Sequence, residues 1–223
     1  MPNWCDTRYY IMGDAAEIER LDEFIKRHKD KKYIPGADSE GWLGNLLCGV
    51  LIDCDNIKEE DIETAYEAAE FPLHRGWMRY YERISSDQIA VDVDDAWGPH
   101  NEVFDIVFEK LGLESCEYYY LAHEPGMGIY CSNDVDMRCW DDEFDYCVDF
   151  GPEKEDQKDG VNLDYAENWM DKDTLVAELY AYLGEPVPVQ NVSDEAVDTL
   201  VERVRNSFTN ESSYICLYKL QRG

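Results

Sequence analysis

Hydrophobic and polar positions follow two different periods along this chain. Around Ile89, Val91 and Val93, apolar residues occupy every second position, which is typical of a strand that is buried on one face. Between 103 and 111 they recur at helical spacing, and Gly112 follows, a residue suited to the left-handed turn after a helix. The pattern therefore predicts half-buried strands together with amphipathic helices.

The first 150 residues contain the predicted elements in the order strand, helix, strand, strand, helix, strand. We expect them at residues 8–12, 15–29, 77–84, 88–94, 103–111 and 116–123, with further strands at 128–132 and 144–150. Two helices, at 41–51 and 58–70, are expected inside a helical insertion at 30–75. We therefore predict an α+β protein with a ferredoxin-like split βαβ core over residues 1–150, an antiparallel sheet with helices on one face.

The pattern over residues 151–223 predicts a C-terminal extension of two helices and a strand, which either packs on the core or forms a small second unit. The helices are expected at 173–183 and after Ser193, which suits an N-cap, and the strand at 214–220. Near the other end of the chain, Asp14 and Glu17 have the spacing of a capping box for the first helix.

The charge is strongly acidic and unevenly distributed. Fifty acidic against twenty basic residues give −30, yet residues 1–33 are neutral and residues 84–171 carry −20. Such a surface repels nucleic acid and anionic membranes and attracts basic proteins. The charge serves either solubility, which is its commoner role, or recognition of a basic protein partner, and we expect no direct nucleic-acid binding.

The eight cysteines indicate a reducing compartment. None forms a C-x-x-C motif, and no Cys/His pair has zinc-finger spacing. The first residues lack the features of a signal peptide, and no apolar run reaches 18 residues. We expect a cytoplasmic protein with reduced thiols, no membrane span, no cofactor and no bound metal.

Two stretches of acids are candidate sites. Asp92, Asp94 and Asp95 lie at a strand end near His100, where they suit either a divalent cation or a solvated strand face followed by a helix cap. The densest run of acids contains Asp134, Asp136, Asp141, Asp142, Glu143 and Asp145. An EF-hand loop starting at Asp134 would need Gly and Glu where Cys139 and Asp145 stand, so that motif fails.

Trp4 and Trp97 are the aromatic residues of greatest interest. They form either an aromatic surface for a ligand or partner, or buried plugs at one end of the sheet and at the junction of strand and helix. We take the partner-binding candidates to be Trp4, Trp97, Asp92, Asp94, Asp95, Asp141, Asp142 and Glu143. No residue is predicted to be catalytic.

Three segments resemble one known family. They are residues 1–5 (M-P-N-W-C), residues 93–99 (V-D-D-A-W-G-P) and residues 126–128 (G-M-G). In these the chain is similar to the ferredoxin-like domain of phage Api-type and plasmid proteins, whose function is unknown. It departs from that pattern in the 30–75 insertion and in Gly98, where the family often has Ser. The resemblance implies the fold and a bacterial mobile-element origin, and it implies no catalytic residues.

Two classes of function remain open. The first is a non-enzymatic acidic protein that binds a basic partner, as a DNA mimic or as an accessory protein, and we expect this class. The alternative is a metal-binding protein or a hydrolytic enzyme that uses the region from Asp92 to His100.

Overall fold

The structure, a computed structural model, describes residues 3–34, 40–69, 71, 75–161, 163, 168–188 and 192–223. Within these residues the chain is an α+β protein with six α-helices and nine strands. It divides into two compact units, residues 1–129 and residues 130–223, called here the first and the second unit.

The first unit contains four antiparallel strands. Its elements are β1 (Trp4–Met12), α1 (Ala15–His28), α2 (Gly44–Asp53), α3 (Ile62–Ala68), β2 (Gly76–Arg83), β3 (Gln88–Ala96), α4 (Glu102–Leu111) and β4 (Glu117–Glu124). The strands lie in the order β2-β3-β1-β4, and every neighbouring pair among them is antiparallel. With α2 and α3 set aside, the chain order is the predicted strand, helix, strand, strand, helix, strand.

Helices α1, α2 and α4 cover one face of this sheet. Alternate residues of β1 and β3, such as Tyr9 and Val91, point into a core that also contains Leu21, Leu46 and Phe104. All five are fully buried, and burying such a side chain contributes about 1.5–3 kcal/mol. The apolar residues at every second position of the strands therefore pack against the apolar stripes of the helices, and together they form one core.

The predicted capping box of α1 is wrong. The Asp14 side chain makes no capping hydrogen bond. Glu17 instead accepts bonds at its Oε2 from the backbone N–H of Ser115, at 2.8 Å, and from the Ser115 hydroxyl, at 2.7 Å. These two bonds lower the pKa of Glu17. A residue 98 positions away has replaced the local partner that the sequence indicated.

The segment predicted as a helical insertion contains two α-helices among its described residues, joined by turns and loops. Helix α2 is buried from Gly44 to Leu51, a part of it that carries no charge, as the apolar sequence predicts. The second predicted helix begins as a 3-10 turn, Glu59–Asp61, and continues as α3. Residues 35–39, 70 and 72–74 of the insertion lie outside the described residues.

The second unit has its own sheet and its own core. Its elements are β5 (Ile129–Ser132), which begins at the boundary, β6 (Tyr146–Gly151), β7 (Asn168–Met170), α5 (Lys172–Leu183), α6 (Asp194–Ser207), β8 (Tyr214–Lys219) and β9 (Gln221–Arg222). Strands β7, β6 and β8 form an antiparallel sheet in that order, and β5 pairs with β9 in parallel. The predicted N-cap is confirmed, because Ser193 Oγ accepts a bond from the backbone of Ala196.

The division between the units falls at Ile129, whereas the sequence placed the end of the core at residue 150. Strand β6 accounts for the difference, because it pairs on both sides with strands of the second unit. Its residues Val148 and Phe150 also pack into the second core, beside Leu179 and Val201. The sequence predicted the strand but named no pairing partner for it.

Candidate functional site

The first-unit sheet has a second face, opposite the helices, that we call the open face. Along β1, Cys5, Thr7 and Tyr9 are buried toward the helices, while the alternating residues from Trp4 to Tyr10 are exposed or half-buried. Residues that pair directly in an antiparallel sheet point to the same side. The strand registers therefore bring exposed side chains of β1, β2 and β3 together on this face.

Two tryptophans meet on the open face. The ring centroids of Trp4 and Trp77 are 5.5 Å apart, and the planes are inclined by 71°, an edge-to-face arrangement. Trp4 is 46% exposed, so the alternative prediction that it is buried is wrong. An open cleft of about 560 Å³ lies beside the pair, lined by Trp4, Asp6, Trp77, Arg79 and Asp94.

The floor of this cleft contains two carboxylates that face each other. Asp6 of β1 and Asp94 of β3 are direct partners in the strand register. Like charges in that position destabilise a sheet. Arg79 offsets the repulsion because it forms ion pairs with both carboxylates. Its Nη2 lies 2.8 Å from Asp94 Oδ1. Burial raises the pKa of Asp94, and the Arg79 charge opposes that rise.

A β-bulge in β2 places this arginine. The register of β2 against β3 shifts between Met78 and Tyr80, which leaves Arg79 outside the regular pairing. Bulges redirect side chains in this way. As a result Trp77, Arg79 and Tyr80 all reach the open face within four residues of one strand.

A second, smaller depression adjoins on the same face. It has a volume of about 310 Å³ and is lined by Arg8, Tyr10, Tyr80, Ile84, Ala90 and Asp92. Arg8 binds both oxygens of Asp92, at 2.7 and 2.8 Å. The predicted candidates Asp92 and Asp94 therefore lie on one face, and each is paired with an arginine.

Asp95 lies on the other side of the sheet. It is 0% exposed, and among the described residues neither of its carboxyl oxygens has a hydrogen bond of good geometry. Burial raises the pKa of Asp95 to about 7, although Thr7 and the backbone N–H of His100 counteract part of the effect. Because strand residues alternate, Asp94 and Asp95 cannot act on one ligand from the same face.

Trp97 follows β3 and is 52% exposed, so the prediction that it packs in the interior is also wrong. Its φ angle is 77°, which is uncommon for a residue other than glycine. Its backbone N–H donates to the carbonyl of Asn3 at 3.0 Å, next to Trp4 in sequence. Met1 and Pro2, the first residues of the predicted family motif, lie outside the described residues.

The acidic run of the second unit is organised around a buried aspartate. The Asp134 carboxylate accepts bonds from the backbone N–H groups of Arg138, Cys139 and Trp140, at 2.6–2.9 Å. The three partner-binding candidates of this run, Asp141, Asp142 and Glu143, are exposed in and beside a short 3-10 helix. Asp134 therefore holds a loop closed, and its oxygens are already occupied by backbone donors.

The sequence did not identify Asp6, Trp77 or Arg79 as site residues. The signal for Asp6 was its position two residues after Trp4, which places both on one strand face. Nothing local indicated that Trp77 and Arg79 would join them, because the register of β2 and its bulge are set by pairing with β3.

The open face combines aromatic rings, carboxylates and guanidinium groups. Aromatic faces and carboxylates together attract cationic side chains. Within the part of the chain that the structure describes, no three His, Cys, Asp or Glu side chains are placed to hold a metal ion. Of the described helices, none is sufficiently long and apolar to span a membrane.

Comparison with known proteins adds no relative. No family model matches the chain, and no significant match was found among curated proteins or among solved structures.

Proposed function

We propose that this chain is a non-enzymatic binding protein that docks a basic protein partner on the open face of its first unit. The observation that carries the proposal is the Trp4–Trp77 pair standing beside the Asp6–Asp94 pair. Exposed tryptophans are strong anchors at protein interfaces, because a large rigid ring loses little entropy when it is covered. Neighbouring carboxylates give such an anchor a preference for basic partners.

The charge of the whole chain supports the same partner class. Residues 1–129 carry 28 acidic and 12 basic residues, and residues 130–223 carry 22 and 8. Each unit is thus strongly negative, and a negative surface accelerates the encounter with a positive protein. A nucleic-acid-binding protein is one class of basic partner, and in that case the chain would act as a DNA mimic.

We also propose that the first unit is a ferredoxin-like split βαβ core. The support is the chain order of its elements together with the strand order β2-β3-β1-β4 and the helices on one face. Membership of the family of phage Api-type and plasmid proteins, and with it a bacterial mobile-element origin, stays a prediction. It rests on the three sequence segments alone.

A metal-dependent or hydrolytic role for the region from Asp92 to His100 has less support. Asp92 and Asp94 are held by arginines on the open face, while Asp95 is fully buried toward the helices. The three carboxylates therefore do not converge on one point.

The test is a pull-down from bacterial lysate at moderate salt with three forms of the chain. The wild type is compared with Trp4→Ala/Trp77→Ala, which removes the anchor, and with Asp141→Asn/Asp142→Asn/Glu143→Gln, which removes three exposed carboxylates of the second unit. Mass spectrometry identifies what is retained. We expect basic proteins on the wild type and on the charge variant, and their loss from the tryptophan variant.

Equal retention by all three forms would show that any binding is unspecific and would end the proposal. Retention of proteins that are not basic would contradict the partner class. The folded state of each variant is checked by circular dichroism, so that a loss of binding is not a loss of structure.

A further inference from the structure

The Asp6–Asp94 pair already holds a guanidinium group, that of Arg79. We infer that this pair, flanked by Trp4 and Trp77, is a binding site for an arginine side chain of the partner protein, and that Arg79 is an internal occupant which the partner's arginine displaces. The inference rests on the proposed function and adds the chemical group that is recognised.

The geometry of the pair favours a planar cation. Asp6 and Asp94 come from adjacent strands in direct register, so two carboxylates are presented side by side. A guanidinium has donors on several nitrogens in one plane and can engage such a pair, whereas an ammonium is a point charge. The chain itself uses an arginine here and not a lysine.

The present occupant is held loosely enough to be displaced. The Arg79 side chain is 51% exposed, and its two carboxylate partners are 47% and 30% exposed. Ion pairs at this level of exposure contribute little to stability, about 0–1 kcal/mol. Arg79 lies in the bulge of β2, outside the regular pairing with β3, and its exposed side chain can swing toward solvent.

The walls of the cleft suit the same ligand. The rings of Trp4 and Trp77 stand beside the carboxylates, and an arginine plane stacks well on an indole. The surrounding chain carries −30, which attracts a positive side chain and repels an anionic one. The same charge disfavours the opposite arrangement, in which Arg79 would bind an anion.

The experiment follows the indole N–H signals of the intact ¹⁵N-labelled chain by NMR. The probes are capped tripeptides, acetyl-Gly-Arg-Gly-amide and acetyl-Gly-Lys-Gly-amide. The six tryptophans give six indole signals, and Trp4→Phe and Trp77→Phe assign the two of interest. We expect the arginine peptide to shift the signals of Trp4 and Trp77 more than the lysine peptide does.

The decisive variant is Arg79→Ala, which empties the site. Because the internal competitor is gone, we expect the arginine peptide to bind about fivefold more tightly. Arg27→Ala is the matched control: it removes one positive charge from another exposed ion pair of the same unit, with Asp53, and should change the affinity by less than twofold. Arg79→Lys should raise the affinity for the arginine peptide by less than Arg79→Ala does.

Weaker binding in Arg79→Ala than in the wild type would overturn the inference, since Arg79 would then be a contact and not a competitor. No shift in either form would overturn it as well. If Arg79→Ala fails to fold, Asp6→Asn/Asp94→Asn replaces it, and binding of the arginine peptide that survives in this variant counts against the site.

The two proposals can fail separately. A basic partner that requires Trp4 and Trp77, together with no effect of Arg79→Ala, leaves the proposed function in place and removes the arginine site. If the arginine peptide binds but the pull-down retains no basic protein, the arginine site stands and the proposed function fails.

Discussion

Asp95 of β3 and Gly76 of β2 face each other across the strands, and a Cβ on residue 76 would overlap the Asp95 carboxyl. Leu43 closes the same space, with its Cδ1 2.7 Å from the position such a Cβ would take. The absence of a side chain at residue 76 therefore makes room for a buried carboxyl group.

Gly76→Ala should destabilise the first unit by about 2 kcal/mol, because an added methyl group has to displace Asp95 or Leu43 in a closed space. Chemical denaturation measures the loss. The double variant Gly76→Ala/Asp95→Ala should recover part of it, since the carboxyl group is gone. Strict additivity of the two changes would show that the contact does not matter.

Asp95→Asn should change how stability depends on pH. The folded pKa of about 7 lies above the unfolded value of 3.8, so the wild type is favoured while Asp95 is protonated. The stability of the wild type should fall as pH rises from about 4 to about 7. Above that range the full cost of burying the charged carboxylate should be present. At pH 8 we expect Asn to be more stable by roughly 2 kcal/mol, about half of the value that the pKa difference implies.

The measurement for Asp95 is denaturant unfolding at several pH values between 4 and 8. Glu23→Gln is the control, because it removes one exposed carboxylate from α1 without touching a buried group. If the free energy of unfolding depends on pH in the same way in Asp95→Asn and in the wild type, the raised pKa of Asp95 is contradicted.

Asp134→Ala should destabilise the second unit by about 3 kcal/mol. The change removes the acceptor for three backbone N–H groups, and leaving a buried donor unsatisfied costs about 1–3 kcal/mol. Asp136→Ala, two residues on and exposed, is the control and should have little effect. Both are compared by thermal unfolding, and similar melting temperatures for the two variants would argue against the role of Asp134.

Thiol reactivity should divide the cysteines by burial. The structure holds all eight as thiols, and Cys5, Cys48 and Cys147 are buried. Burial raises the pKa of Cys48 to about 12, so both access and thiolate formation are low. We expect iodoacetamide to modify these three only after unfolding, as followed by mass spectrometry. Labelling of Cys48 as fast as that of the half-buried Cys139 in the native protein would refute this.

Local signals predicted most of the elements correctly. The stripe between 103 and 111, the alternation in β3 and the cap at Ser193 all correspond to observed structure, because each depends on neighbours within a few residues. The alternation in β3 also contained the information that Asp92 and Asp94 share a face and that Asp95 does not.

The sequence predictions failed where the partner is distant. Glu17 has the spacing of a capping box, yet it binds Ser115, because the fold brings a better donor to it than the helix end offers. Strand β6 was predicted without its partners β7 and β8, since no local feature of a strand reveals which strand it will pair with. The candidate site was incomplete for the same reason, and Trp77 and Arg79 were absent from it.

The sequence by itself determined the fold class, the order of the elements and the negative charge, since these depend on composition and on short-range periodicity. The tertiary structure decided where the chain divides, that Trp4 lies exposed beside Trp77, and that Asp6 and Asp94 meet under Arg79. The two relationships on the open face arise from strand register and from one β-bulge, which bring Trp4 and Asp6 to residues more than 70 positions away.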